Sequence, residues 1–196
     1  MKPTAACPHP WHPAPRPGLS PLQRAWLQQP GALTAGLRRL GPLTLQVRRE
    51  AVLALPAGWA EEIGRPAGSA IWWREILMCI EGQPAVQACS FTPRRASLGV
   101  WKAMRGLGSH PLADILYEDA RITRSGFRFG RLRVRPASGA WVAAQPGDAV
   151  QARHSVFVRQ GEPLLVAEYF LPGFWPLARG TAATRPRGRF PRFGCG

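Results

Sequence analysis

The sequence predicts an α+β domain built on an antiparallel sheet. Three observations predict it. Strand-like stretches outnumber helical ones. Residues 71–80 and 84–91 flank a turn in "IEGQPAV", and residues 154–160 and 163–171 flank one in "RQGEPLL". Most neighbouring strands are therefore joined by hairpins, which excludes a βαβ fold with its long crossovers.

The elements follow in chain order. Residues 1–19, rich in proline, read as a flexible arm. Ser20-Pro21 starts a helix, with a capping side chain followed by proline at the first helical position, and Pro30-Gly31 ends it. Leu33, Leu37 and Leu40 outline a second short helix closed by Gly41-Pro42. Residues 43–55 read as a strand. After the first hairpin, Thr92-Pro93 opens a helix whose Val100, Trp101, Met104 and Leu107 keep helical spacing until Gly106 and Gly108 break it. "HPLADILY" restarts at Pro111. Residues 121–135 are strand-like, and residues 136–152 read as a loop. The organisation is thus an arm (1–19), one domain (20–172) and a basic tail (173–196).

Composition narrows the class. The formal charge is +15, and removing the seven basic residues of the two ends leaves +8 on the body, which suits an anionic partner. The N-terminus lacks the apolar stretch of a secretory signal, and no segment has transmembrane length. The four cysteines show no metal-ligand spacing, and the four histidines are scattered, so no metal site is expected. These features point to a soluble protein of a reducing cytoplasm. The stripe Arg131, Arg133 and Arg135 reads as the solvated face of an edge strand rather than a nucleic-acid surface, and no nucleic-acid partner is expected.

Two charges stand out. In "IWWREILMCI", Arg74 shares a strand face with Trp72, Ile76 and Met78; in "PLLVAEYFLP", Glu168 shares one with Leu164, Val166 and Phe170. Burying either without a partner costs several kcal/mol. Either the two charges pair with each other or sit at strand ends, or they line a pocket for an anionic, hydroxylated ligand.

The stretches "WWREILMCIEGQP", "GSHPLADILYEDARITRSGFRFGR" and "RHSVFVRQGEPLLVAEYFLP", in that order, resemble the bacterial chorismate pyruvate-lyase family. The resemblance runs from about Leu22 to Pro172. It implies an antiparallel sheet of about six strands with helices packed on it, conversion of chorismate to 4-hydroxybenzoate and pyruvate in ubiquinone synthesis, an internal cavity under helical flaps, no cofactor, and a monomer. By position, Arg74 matches the arginine that grips the ring carboxylate, and Glu168 the glutamate facing the 4-hydroxyl. Leu33 and Leu112 match the residues whose backbone amides help hold the carboxylate. Each of those two lies in the first turn of an expected helix, where an amide has no intrahelical partner. Two alternatives are an effector-binding module of the same fold, against which the lack of a helix-turn-helix pattern before residue 20 counts, and a basic RNA- or membrane-associated protein using the arginine-rich tail.

Overall fold

A computed structural model describes residues 11–133 and 149–183. Seven strands form one sheet: β1 (Leu43–Ala54), β2 (Ala70–Ile80), β3 (Gln83–Pro93), β4 (Thr123–Arg124), β5 (Arg128–Arg133), β6 (Ala149–Arg159) and β7 (Glu162–Phe170). Their order is β1-β2-β3-β7-β6-β4, with β5 also on β6, and every pairing is antiparallel. The seventh strand arises because the stretch expected to be continuous over 121–135 breaks at Ser125-Gly126-Phe127. β4 and β5 on either side of that break both pair with β6.

The two hairpins have the same turn. Glu81-Gly82 and Gln160-Gly161 each place two consecutive residues at positive φ, 50° and 77° in the first and 49° and 75° in the second. That backbone matches the twist of the flanking strands, and glycine takes its positive φ without a Cβ penalty. The turns fix register: Ile80 faces Gln83, and Arg159 faces Glu162.

Four short helices complete the domain: α1 (Pro21–Gln28), α2 (Leu33–Leu37), α3 (Ala113–Leu116) and α4 (Phe174–Ala183). α1 begins with a reciprocal capping box, the Ser20 hydroxyl accepting from the Gln23 amide and the Gln23 side chain accepting from the Ser20 amide. The helix expected from Pro93 is absent. Pro93 ends β3, and two 3-10 turns, Ala96–Leu98 and Lys102–Gly106, occupy the segment. Gly99, Gly106 and Pro111 interrupt it too often for an α-helix to propagate. Trp101, Met104 and Leu107 are nevertheless buried, packed with Leu112, Leu116, Phe157 and Leu164.

Both faces of the sheet are covered. One carries Trp59, Ile63, Ile71, Phe91, Leu165 and Tyr169 together with Trp11. Trp11 was expected in a flexible arm; it packs 5.2 Å from the Trp59 ring, and His12 bridges to Phe129. Gly130 makes this possible, since a Cβ there would lie 2.9 Å from the Trp11 ring. The other face holds Leu27, Leu33, Leu37, Ile76, Met78 and Phe170 under the helices. The expectation of a tail from residue 173 also needs correcting. Phe174 and Ala178, four residues apart on α4, are buried there, with Phe174 edge-on to Trp26 at 5.0 Å. Residues 1–10 and 184–196, the outer parts of the arm and tail, lie outside the described residues, as do 134–148. The loop expected over 136–152 gives way to β6 at Ala149.

Candidate active site

Pairing sets one line of side chains across the helix-covered face: Ile76 on β2, Ala88 on β3, Glu168 on β7 and Arg153 on β6. The small Ala88 leaves room above the sheet. The cavity and its open mouth together hold about 560 Å³ of space not filled by atoms. Its floor includes Ile76, Met78, Ala88, Val166 and Glu168, and its roof comes from two segments, 31–34 at the start of α2 and 111–117 around α3. Tyr117 ties the roof together: its hydroxyl donates to the Gly31 carbonyl at 2.9 Å.

Glu168 is partnered by Arg153. Arg153 Nε donates to Glu168 Oε2 at 2.6 Å, and the arginine is fully buried. Its Nη1 donates to the carbonyls of Trp26, Leu27 and Gln29 at 3.3, 3.1 and 2.8 Å, so the end of α1 is pinned to the same guanidinium. The Trp26 carbonyl also accepts from the Gln29 amide at 3.4 Å; all three carbonyls lie at the negative end of the helix dipole, which offsets the cost of burying the cation. The guanidinium lies over the Phe127 ring, 4.2 Å from its centroid. Arg124 also lies over Phe127, at 3.7 Å, and donates from Nε to the Ser155 hydroxyl at 3.0 Å.

Of the four residues singled out in the sequence, Leu33, Leu112 and Glu168 line this cavity. Leu33 is the first residue of α2, and Leu112 is the N-cap of α3. Both residues are buried, and their amides lie at helix starts. Arg74 does not line it. It sits on the same face one register row away, opposite Ser90, and is 2% exposed. Its Nη2 donates to the Gly108 and His110 carbonyls at 2.7 and 3.3 Å, and its Nε to Glu50 Oε1 at 3.2 Å. Burial pushes its pKa down, and Glu50 partly restores it. Arg74 and Glu168 thus do not pair with each other; each has its own partner.

The pairing of Arg153 with Glu168 was not read from the sequence. The signal was present. A two-residue turn at Gln160-Gly161 pairs Arg159 with Glu162, and six steps down the ladder bring Arg153 opposite Glu168. Tyr117, Phe127 and Arg124 carried no such signal, because they come from irregular or short segments.

Fold and site together define an α+β domain with an apolar-walled cavity and a carboxylate–guanidinium pair in its floor. The fold is shared with bacterial regulators. A GntR-family transcriptional regulator from Bacillus cereus superposes with a TM-score of 0.52 at 13% identity, covering 66% of this chain and 92% of that one. The ligand-binding domain of a putative GntR-family regulator from Bordetella bronchiseptica superposes with a TM-score of 0.50 at 13% identity, covering 67% and 84%. Sequence is more specific. Residues 10–179 match the family model described as chorismate lyase. A probable chorismate pyruvate-lyase of Bordetella pertussis is 48% identical over 180 residues, covering 89% of this chain and 95% of that one. Another, from Pseudomonas entomophila, is 38% identical over 175 residues, covering 88% and 95%. The chain belongs to the chorismate lyase family.

Proposed function

We propose that this protein converts chorismate to 4-hydroxybenzoate and pyruvate, the entry step to ubiquinone synthesis, as a cofactor-independent cytoplasmic monomer. The observation that carries the reading is the Glu168–Arg153 pair set in the floor of an apolar cavity in a chain of this family. Free, buried Cys79 and Cys89 fit a reducing compartment.

The reaction is an elimination. The C3–O bond breaks and its electron pair goes to the enolpyruvyl oxygen. The C4–H pair becomes the final ring double bond, and the proton ends on the enolpyruvyl methylene, giving pyruvate. Aromatisation supplies the driving force, so the protein's task is to hold a reactive pose and stabilise the departing enolate. Glu168 orients the C4 hydroxyl and is the carboxylate available to relay the C4 proton. The amides of Leu33 and Leu112, at helix starts where donors are unpaired, hold the ring carboxylate. Arg74 joins them: two residues along a strand span about 7 Å, within the reach of an arginine from its row to that of Ile76. Its bonds to Gly108 and His110 also hold the stretch leading to Leu112.

The test is turnover of chorismate by wild type, Arg74→Ala and Glu168→Gln, each checked for folding. Activity in the wild type, with losses in both folded variants, supports the assignment. Tight binding of 4-hydroxybenzoate without any turnover would instead make the chain a non-catalytic binding module.

A further inference from the structure

Arg153 has one more donor than its partners use. Nε is on Glu168 and Nη1 on three carbonyls, while Nη2 is buried and without a hydrogen-bond partner among the described residues. An unpaired buried donor costs about 1–3 kcal/mol, so such groups are found where a ligand or water completes them. This one belongs to a side chain of the cavity wall. The neighbouring Arg124 also lines the cavity; its Nε is on the Ser155 hydroxyl, and no carboxylate lies within ion-pair distance of it among the described residues. Both guanidiniums lie over the Phe127 ring, and among the described residues Arg153 is ion-paired to Glu168 while Arg124 has no ion pair, which leaves one uncompensated positive charge at the cavity wall.

We propose that Arg153 Nη2 and Arg124 form a subsite for a second carboxylate, the one on the enolpyruvyl arm of the substrate. The inference rests on the lyase reading above. There Glu168 faces the C4 hydroxyl, and the next ring carbon bears the ether oxygen of that arm, so donors beside Glu168 fall on its side of the ring. The subsite would hold the arm in place and take up negative charge as the C3–O bond breaks. Product 4-hydroxybenzoate lacks this group and leaves the subsite unused, which separates substrate recognition from product binding.

The test compares two ligands that cannot react: 4-hydroxybenzoate, and 3-(carboxymethoxy)-4-hydroxybenzoate, which adds an ether oxygen and a carboxylate beside the hydroxyl. Titration calorimetry at low salt should show wild type binding the second ligand about tenfold or more tighter, the scale of one charge-assisted hydrogen bond. In Arg124→Gln, 4-hydroxybenzoate affinity should change by less than about threefold, and the advantage of the dicarboxylate should fall to about twofold or less. KM for chorismate should rise about tenfold in the same variant, with partial recovery in Arg124→Lys. Arg153→Lys should likewise lose the advantage; if it does not fold, Arg124→Gln, at a half-buried position, decides alone. An advantage that persists in folded Arg124→Gln, or that wild type lacks, overturns the subsite while leaving chorismate turnover by wild type standing. Wild type that neither binds 4-hydroxybenzoate nor consumes chorismate overturns the lyase reading and the subsite with it.

Discussion

Glu168→Gln perturbs the site at its centre. The amide is nearly isosteric and keeps an oxygen to accept the Arg153 Nε bond, which is 2.6 Å long in the wild type. What disappears is the counter-charge of a guanidinium whose side chain is 1% exposed. Breaking a buried ion pair from one side costs about 3–5 kcal/mol when nothing replaces the partner. Here the three α1 carbonyls remain on Nη1, the amide oxygen remains on Nε, and Glu168 itself is 16% exposed, so a loss of about 1–3 kcal/mol is expected. For a domain of this size 2 kcal/mol lowers Tm by roughly 4–8 °C. Turnover should fall about 100-fold or more if the carboxylate serves the chemical step, while 4-hydroxybenzoate still binds. Urea unfolding, thermal melts and steady-state kinetics on the same preparation read all three quantities. Wild-type kcat in a variant with lowered Tm would show that the pair is structural only, and an unchanged Tm would refute the energetic argument.

Three further outcomes follow from particular contacts. Tyr117→Phe removes the bond to the Gly31 carbonyl, so amide hydrogen exchange should speed up together in 31–37 and 111–117, with global stability lowered by less than about 1 kcal/mol at this exposed position; acceleration in one segment alone would contradict a shared roof. Cutting the chain after Pro172 should sharply reduce soluble, folded protein because it removes buried Phe174 and Ala178, whereas cutting after Ala183 should not; equal behaviour of the two truncations would show that α4 does not hold the fold. His154 is enclosed by Trp11 and Trp59, and burial, with Arg128 adding to it, pushes its pKa down to about 3. Glu62 Oε2 lies 3.5 Å away, but burial pushes that carboxyl up, so the surroundings favour a neutral imidazole over an ion pair. The unfolded chain takes up the proton first, so this stability is present above pH 6.5 and is lost as pH falls toward 3; the raised Glu62 opposes part of that loss. Between pH 7 and 4.5, His154→Phe should lose about 2–3 kcal/mol less than wild type by urea unfolding, and equal losses would refute the burial argument.

The sheet was legible because its signals are local. Two turns, each with a glycine at positive φ, set two hairpins, and alternation then assigned Arg74 and Glu168 to one face. The capping box at Ser20 marked α1 for the same reason. Tertiary packing decided the rest. Trp11 lies in a proline-rich stretch with no periodicity, and it is ordered by Trp59, His154 and the gap at Gly130, none of them near in sequence. α4 follows a proline and carries Gly180 in its last turn, so its Phe174–Ala178 spacing was outweighed by the basic composition around it. Between Pro93 and Pro111 the apolar spacing was helical and correctly marked buried residues. The glycines there turned the backbone into 3-10 turns without exposing them. Leu33, Leu112 and Glu168 line one cavity, whereas the contacts of Arg74 depend on Glu50 and on the irregular stretch at Gly108–His110.

The central claim is the conversion itself. Purified protein, treated with EDTA and mixed with chorismate, should release 4-hydroxybenzoate and pyruvate in equal amounts as chorismate disappears, quantified by chromatography against a protein-free control. No 4-hydroxybenzoate above that control, or pyruvate released with a different aromatic product, would contradict the account.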